Sequence, residues 1–185
     1  MKKLIFILTF LLSIGLATKD LSAKGNKGID DGDLVIYTGV GYGLMGMYAD
    51  MVIPPLSVGI DYCVKFGGKH PVTFGGMFGF AQSEYVSFST TYTYNYYIAG
   101  FRGAYHFTEM VKVDGLDLYA GMMIGYNIVD WAISGASAWG YTAGGSYVIW
   151  GVYGGVRYYF TDNIGVYAEG GYGVGFVNAG LAFKL

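Results

Sequence analysis

Residues 56–66, LSVGIDYCVKF, alternate a large apolar side chain with a small or polar one at every position. Successive side chains of a β-strand point to opposite faces of the sheet, whereas a helix repeats every 3.6 residues. One face of the predicted strand therefore carries only Leu56, Val58, Ile60, Tyr62, Val64 and Phe66. The other face carries Ser57, Gly59, Asp61, Cys63 and Lys65, so the segment predicts a strand with one apolar and one polar face.

Seven further segments after Asp33 repeat this period of two. Their apolar faces include Ile36 and Val40, Phe74 and Phe78, Tyr97 and Phe101, Leu118 and Ile124, Val148 and Val156, Ile164 and Val166, and Leu181 and Phe183. About fifteen glycines fall on the polar faces and about four on the apolar faces, as expected where a narrow barrel crowds its inward side chains. Eight strands close most simply as an antiparallel up-and-down barrel, so the sequence predicts an all-β fold of this kind.

The composition of the 185-residue chain excludes several other classes of protein. Charged residues make up 13% of the chain and aromatic residues 18%, which argues against disorder, and 32 glycines disfavour a helical fold. The net charge of −2 and the lack of a basic patch argue against nucleic-acid binding. Cys63 is the single cysteine, so the sequence predicts neither an internal disulfide nor a thiolate zinc site.

The N-terminus has the pattern of an export signal. Lys2 and Lys3 precede the apolar run LIFILTFLLSIGLA at residues 4–17, which is short for a membrane-spanning helix. We expect residues 1–23 to be a signal peptide cleaved after Ala23, with cleavage after Ala17 or a retained membrane anchor as alternatives. Residues 24–33, KGNKGIDDGD, are polar and rich in glycine, which predicts a flexible lead-in. Residues 34–185 then form the barrel as a single domain.

The two faces of the predicted barrel indicate which solvent surrounds it. A barrel in water needs a dense charged exterior, but the polar face offers few charges among glycine, alanine, serine and tyrosine. The apolar face has no charge, and one Arg or Lys there would cost about 2–4 kcal/mol at the midplane of a bilayer. The pattern therefore favours a transmembrane barrel over a soluble lipocalin-like barrel. We expect short turns at one end and longer loops at residues 45–55, 83–91 and 129–146, with a short last loop at 173–175, at the other.

Seven charged or titratable side chains fall on the inner face of the predicted barrel. They are Asp61, Lys65, Arg102, His106, Asp117, Arg157 and Glu169. Because a buried charge needs a partner, we interpret them as a structural lumen network that neutralises itself. A short turn at 161–163 places Glu169 diagonal to Arg157, and pairing Phe107 with Leu116 sets His106 opposite Asp117. An ion or proton path is the alternative, although eight strands enclose a lumen only wide enough for side chains.

The remaining motifs predict no catalytic, metal or cofactor site. His106 and Asp117 lack an inward-facing serine that would complete a triad, and His70 lies in a turn, where it makes no metal site with His106. The GYGLMG sequence at 41–46 matches a dinucleotide-binding pattern, but prolines follow it instead of a helix. The tyrosine-rich run YTYNYY at 92–97 suits either an interfacial girdle or an adhesive outer surface.

Several short motifs together resemble a known family. They are RGAYHF at 102–107, LYAG at 118–121, RYYFT at 157–161, AEGGYG at 168–173 and NAGLAFKL at 178–185. Their order along the chain is similar to the small outer-membrane β-barrel domains of the OmpA and OmpX type, particularly those of Bacteroidetes-like bacteria. The resemblance implies an eight-stranded barrel in the outer membrane of a Gram-negative-type bacterium, in contact with membrane lipid and lipopolysaccharide. It also implies that the outer-membrane assembly machinery reads the C-terminal strand.

These observations predict a non-enzymatic outer-membrane barrel protein. We expect a structural role in the envelope, or a surface-interaction role carried by extracellular loops, because loops on a rigid scaffold commonly carry binding functions. One alternative is a barrel enzyme acting on lipid or on a surface peptide, which would need serine, histidine and acidic residues together at the outer rim. A narrow channel is the other alternative.

Overall fold

In the computed structural model the chain forms a closed barrel of eight antiparallel strands. The structure describes residues 28–43, 50–108, 110–111, 113–135, 142–171 and 175–185. The strands are β1 (Leu34–Tyr42), β2 (Asp50–Phe66), β3 (His70–Ser87), β4 (Thr90–His106), β5 (Leu116–Gly135), β6 (Thr142–Tyr159), β7 (Ile164–Gly171) and β8 (Val177–Lys184). Each strand pairs with its neighbours in chain order, and β8 closes against β1, which confirms the predicted fold. In the described part of the chain, no helix is long and apolar enough to span a membrane.

Side chains alternate between the two faces of the wall, as the period of two predicts. In β2, Asp61 is 1% exposed and Cys63 0%, whereas Ile60 and Tyr62 are 44% and 49% exposed. Large apolar side chains, among them Phe101 and Trp150, cover the outer wall and are highly exposed. The core of the molecule is therefore its lumen.

Strand length is uneven around the barrel. β2 to β6 have 17 to 20 residues, whereas β1, β7 and β8 have 9, 8 and 8. The long strands continue past the short ones at the end opposite the 67–69 turn. We call this end the loop end and the opposite one the turn end. The parts of the long strands at 50–55, 82–87, 90–96, 129–135 and 142–147 are called the extension.

The loops predicted at the loop end are wrong for most of their residues. Residues 50–55, 83–87, 90–91, 129–135 and 142–146 belong to strands, and Phe88 and Ser89 alone form the β3–β4 turn. The reason is an inversion of polarity, because outward positions of the extension carry Gln82, Asn95 and Asp130 while inward positions carry tyrosines. The alternation with an apolar outer face therefore stops at the start of the extension, although the strands themselves continue. Residues 45–49, 136–141 and 173–174 of the predicted loops lie outside the described residues.

Residues 28–33 pack across the turn end of the barrel. The Gly32 backbone N donates to the Cys63 carbonyl at 3.0 Å, and the Cys63 N donates to the Asp33 carbonyl at 2.9 Å. Ile29 is 3% exposed and joins the lumen core. These residues belong to the segment predicted as a flexible lead-in, and an apolar contact of Ile29 and an ion pair of Asp30 with Lys65 hold them on the barrel. Residues 1–27 lie outside the described residues, so the signal peptide and its cleavage site stay predictions.

Candidate functional site

Arg102 of β4 and Glu169 of β7 form the central ion pair of the lumen. The Arg102 Nη2 donates to Glu169 Oε1 at 2.6 Å, and Nη1 donates to Oε2 at 3.2 Å. The Tyr119 hydroxyl donates to the same Oε1 at 2.8 Å. Arg102 is 6% exposed and Glu169 9%, so both charges are buried. A bidentate pair of this kind is directional as well as strong, and here it links strands of the wall that are not neighbours.

Asp61 of β2 lies between the two inner arginines. Its Oδ1 is 3.5 Å from Arg102 Nε, and its Oδ2 is 3.8 Å from Arg157 Nη2. Arg157 Nη1 is also 3.8 Å from Asp117 Oδ2. The predicted register, with Arg157 opposite Tyr167, is present, yet the bidentate partner of Glu169 is Arg102 and not the diagonal Arg157. The network therefore runs across the lumen as well as along adjacent strands.

His106, Asp117 and Thr73 form a second polar group nearer the turn end. His106 Nδ1 lies 2.7 Å from Asp117 Oδ1, and His106 Nε2 lies 3.0 Å from Thr73 Oγ1. A hydroxyl, an imidazole and a carboxylate in this order have the arrangement of a catalytic triad. Thr73 and His106 are each 1% exposed and Asp117 is 0% exposed, so a substrate has no open route to the hydroxyl. The arrangement supports mutual hydrogen bonding of buried polar groups instead of catalysis.

The strand pairing that brings His106 to Asp117 differs from the predicted one. His106 pairs with Tyr119, and the Phe107 N donates to the Leu118 carbonyl at 2.8 Å, so Phe107 faces Leu118 and not Leu116. Asp117 thus reaches His106 from a diagonal position. Sequence reasoning missed Thr73 as the second partner of His106, although its inward position in β3 was the available signal.

Tyrosine rings fill the space around the two arginines. The Arg102 Cζ lies 4.2 Å from the ring centroid of Tyr153 and 4.8 Å from that of Tyr37. The Arg157 Cζ lies 5.0 Å from the ring centroid of Tyr119. Stacking of this kind offsets part of the cost of removing a guanidinium from water. Sequence reasoning missed these rings as partners, although the period of two places Tyr119 inward between Asp117 and Gly121.

Lys65 lies apart from the lumen network. It forms an ion pair with Asp30, and its backbone N donates to Asp31 Oδ1 at 2.7 Å. The predicted lumen set therefore divides into Asp61, Arg102, His106, Asp117, Arg157 and Glu169, which the structure brings together, and Lys65, which holds the N-terminal segment. Within the described ranges, no three His, Cys, Asp or Glu side chains are grouped so as to hold a metal ion.

The extension is a curved sheet of five strands with two different faces. On its outward face the Gln82 Nε2 donates to Asn95 Oδ1 at 2.7 Å, and Asn95 pairs with Asp130 of β5. The face continuous with the lumen carries Tyr85, Tyr92, Tyr94, Tyr96 and Tyr147, which we call the tyrosine face. The rings of Tyr94 and Tyr96 are stacked, with centroids 6.5 Å apart and planes inclined by 20°.

The two lateral edges of the extension are built differently. β2 pairs with β1 only as far as Leu56, and beyond it lie two prolines and two register shifts, which blunt this edge because proline has no N–H. β6 pairs with β7 only between Tyr153 and Tyr159. Among the described residues no strand pairs with the outer side of residues 142–152, TAGGSYVIWGV, a stretch without proline or charge. This β6 edge presents backbone donors and acceptors to an additional strand.

Comparisons with known proteins find similarity only at the level of structure. No protein-family model and no curated protein sequence matches the chain. One similar solved structure is Ail, the attachment invasion locus protein of Yersinia pestis, in complex with the heparin analogue sucrose octasulfate, with 17% identity over 83% of this chain and 95% of that chain and a TM-score of 0.47. Another is the N-terminal β-barrel domain of Pseudomonas aeruginosa OprF, with 16% identity over 84% of this chain and 98% of that chain and a TM-score of 0.48.

Proposed function

We propose that the chain is a non-enzymatic integral outer-membrane protein whose barrel anchors the extension at the cell surface as an interaction platform. The observation that carries the proposal is the apolar outer wall below the row of Gln82, Asn95 and Asp130. Above this row the outward positions include Glu84, Thr91, Thr93 and Ser134 beside the apolar Val86 and Ala132, and below it the outward positions carry no charge. Lipid around the lower wall and water around the extension account for both halves of this pattern.

The height of the apolar wall supports a membrane setting. From Tyr97 of β4 to Phe107, the residue directly after this strand, the outward positions are free of charge. With a rise of about 3.3 Å per residue and a tilt of about 40°, that stretch is about 25 Å tall, the height of the apolar band of outer-membrane barrels. The exposed fractions are large, with Phe101 at 77% and Trp150 at 76%, which water would oppose. Lipid and lipopolysaccharide are accordingly the proposed partners of the outer wall.

The filled lumen supports an interaction role over conduction or catalysis. Tyr37, Arg102 and Arg157 are almost completely buried across the turn half of the barrel, and the triad-like group is enclosed. The extension is instead open to solvent, and its β6 edge can take up an extended polypeptide through main-chain hydrogen bonds. We further propose that the C-terminal strand, β8, is the segment that the outer-membrane assembly machinery recognises.

The membrane part of the proposal is tested by cell fractionation followed by gel electrophoresis of boiled and unboiled samples. We expect the full chain in the outer-membrane fraction, with a mobility shift on boiling because a closed barrel resists detergent. A soluble protein with no shift would overturn the proposal and favour a periplasmic ligand-binding barrel.

The interaction part is tested with an uncharged strand-forming peptide of alternating threonine and valine, added to the purified barrel in a non-ionic detergent. We expect the peptide to bind, and lysines placed on the β6 edge by Gly144→Lys with Ser146→Lys to weaken binding about tenfold, because charged residues disfavour edge pairing. Ser134→Lys on the internal strand β5 is the matched control and should leave binding unchanged. Equal binding by both variants would rule out the β6 edge as the acceptor.

A further inference from the structure

The tyrosine face carries aromatic rings without any cation of the chain's own in the surrounding sequence. No lysine or arginine occurs in residues 34–64, 70–101 or 113–156, the stretches that contain the whole extension. In the turn half of the barrel the tyrosine rings do have cationic partners. The cationic groups of Arg102, Arg157 and Lys184 each lie 4.2 to 5.0 Å from the centroid of a tyrosine ring. The same type of ring thus has a cationic partner at one end of the lumen, and the sequence supplies none at the other.

The charges of the extension have one sign. Asp50, Glu84 and Asp130 are its acidic residues, and they lie on the outward face of the same sheet, where Asp50 is the direct cross-strand partner of Glu84. Two like charges directly opposite each other destabilise a strand pair. Their field, together with the lack of basic residues, attracts positively charged molecules and repels anions at this end.

The tyrosine rings are placed so that a ligand can reach them. Tyr85 and Tyr147 are each 49% exposed. Tyr85 and Tyr92 have centroids 6.2 Å apart, and Tyr94 and Tyr96 form the stacked pair next to them along β4. On the β3 side the positions beside these rings are small, since Ser83 lies opposite Tyr94 and Ala81 opposite Tyr96. On the β5 side Trp131 lies opposite Tyr94 and Val129 opposite Tyr96. An extended chain laid on this face meets several ring faces in succession.

We infer that the tyrosine face binds a cationic peptide, whose arginine or lysine side chains lie over Tyr94 and Tyr96 by cation–π contact. The inference rests on the proposed function only in that the loop end faces the outside. Anionic ligands are disfavoured by Asp50, Glu84 and Asp130.

Hexa-arginine amide is the probe, titrated into the full mature chain folded in a non-ionic detergent, with hexaserine amide as the neutral comparison. We expect the arginine peptide to bind and the serine peptide not to bind. Tyr94→Leu with Tyr96→Leu keeps the apolar volume but removes the rings, and should weaken binding about tenfold. Tyr94→Phe with Tyr96→Phe keeps the rings and should bind within about threefold of the unmodified chain. Each variant's heat-modifiability shows that the barrel has formed.

Thr93→Ala with Asn95→Ala, on the opposite face of the same strand, is the matched control and should leave the affinity unchanged. Glu84→Gln with Asp130→Asn should reduce the salt dependence of binding, because it removes charge and leaves the rings in place. Unweakened binding in the leucine variant, or equal binding of the serine peptide, would overturn the inference. The uncharged threonine–valine peptide tests the β6 edge separately, so the failure of one site is distinguishable from the failure of the other.

Discussion

Arg102 is the residue on which most of the lumen network depends. It holds Glu169 by two hydrogen bonds, lies 3.5 Å from Asp61 and is stacked between Tyr37 and Tyr153. Its removal leaves two buried carboxylates near one remaining guanidinium, that of Arg157. A buried ion pair adds little net stability over an apolar pair, but breaking one by removing a single partner is costly.

We therefore expect Arg102→Met to lower the free energy of unfolding by about 3–5 kcal/mol. The measurement is a urea titration of the barrel folded into phospholipid vesicles, followed by tryptophan fluorescence. Lys69→Met in the exposed 67–69 turn is the control, because it also replaces a positive charge by methionine. It should change the free energy of unfolding by less than about 0.5 kcal/mol. An Arg102→Met barrel as stable as the control would show that the pair with Glu169 is dispensable.

Gly154 and Gly155 are adjacent in β6 but point to opposite sides of the wall. A Cβ on Gly155 would lie 2.6 Å from the Tyr119 ring, whereas a Cβ on Gly154 would have its nearest neighbour at 3.7 Å. We expect Gly155→Ala to destabilise the barrel by about 1–3 kcal/mol through overpacking of the lumen. Gly154→Ala should be neutral within about 0.5 kcal/mol, since the new methyl group faces outward. Equal effects in the same urea titration would contradict the inward packing of Tyr119.

At the scale of the strand, the period of two predicts nearly all of the inner and outer faces below the extension. It succeeds there because the outer wall carries no charge and is apolar apart from residues such as Thr38 of β1. A register shift of one residue would also move every side chain of a strand to the opposite face. The extension is not predicted because its outer face is largely polar and therefore lacks the apolar stripe by which a strand of the barrel is recognised. The register between β4 and β5 is not predicted correctly either. The connection between His106 and Leu116 is too long for turn geometry to determine which residues of the two strands pair.

The candidate site is predictable to the same extent as the strands. Position in a strand identifies Asp61, Arg102, Asp117, Arg157 and Glu169 as inward. It does not identify their partners, because Arg102 and Glu169 lie on β4 and β7, and such a contact depends on lumen diameter and stagger. The tyrosine face and the open β6 edge likewise depend on where β1, β7 and β8 end.

The β3–β4 turn has an unusual residue at its tip. Phe88 has a φ of 53°, in the left-handed region, and its side chain is 103% exposed. Because a side chain at such a φ costs about 1 kcal/mol that glycine avoids, we expect Phe88→Gly to raise the stability of the barrel by up to about 1 kcal/mol. Phe88→Ala is the control, since it removes the ring but keeps the Cβ, and it should gain less. A loss of stability in the glycine variant would mean that the Phe88 ring makes contacts that stabilise the hairpin.

At the scale of the whole molecule, charge is divided along the barrel axis. All the lysines of the described barrel lie at the turn end, and the two arginines lie within the lumen. The turn end also carries Asp30, Asp31, Asp33, Asp114 and Asp162. The extension carries acidic residues only. The uncharged outer wall separates a turn end with charges of both signs from an acidic loop end, and neither charge set lies on the wall that would face lipid, which matches the proposed membrane setting.

The position of the bilayer leads to a test that involves the entire outer wall. Ile124 of β5 is 58% exposed near mid-height of the apolar band, and Ser134 lies on the outward face of the same strand within the extension. In phospholipid vesicles, Ile124→Arg should lower the free energy of unfolding by about 2–4 kcal/mol, whereas Ser134→Arg should cost about 0–1 kcal/mol, because the cost of a charge falls toward the bilayer surface. In water both sites are exposed, so a soluble barrel would tolerate either arginine equally. A matched pair of urea titrations decides between the two settings, and equal stabilities of the two variants would place the outer wall in water.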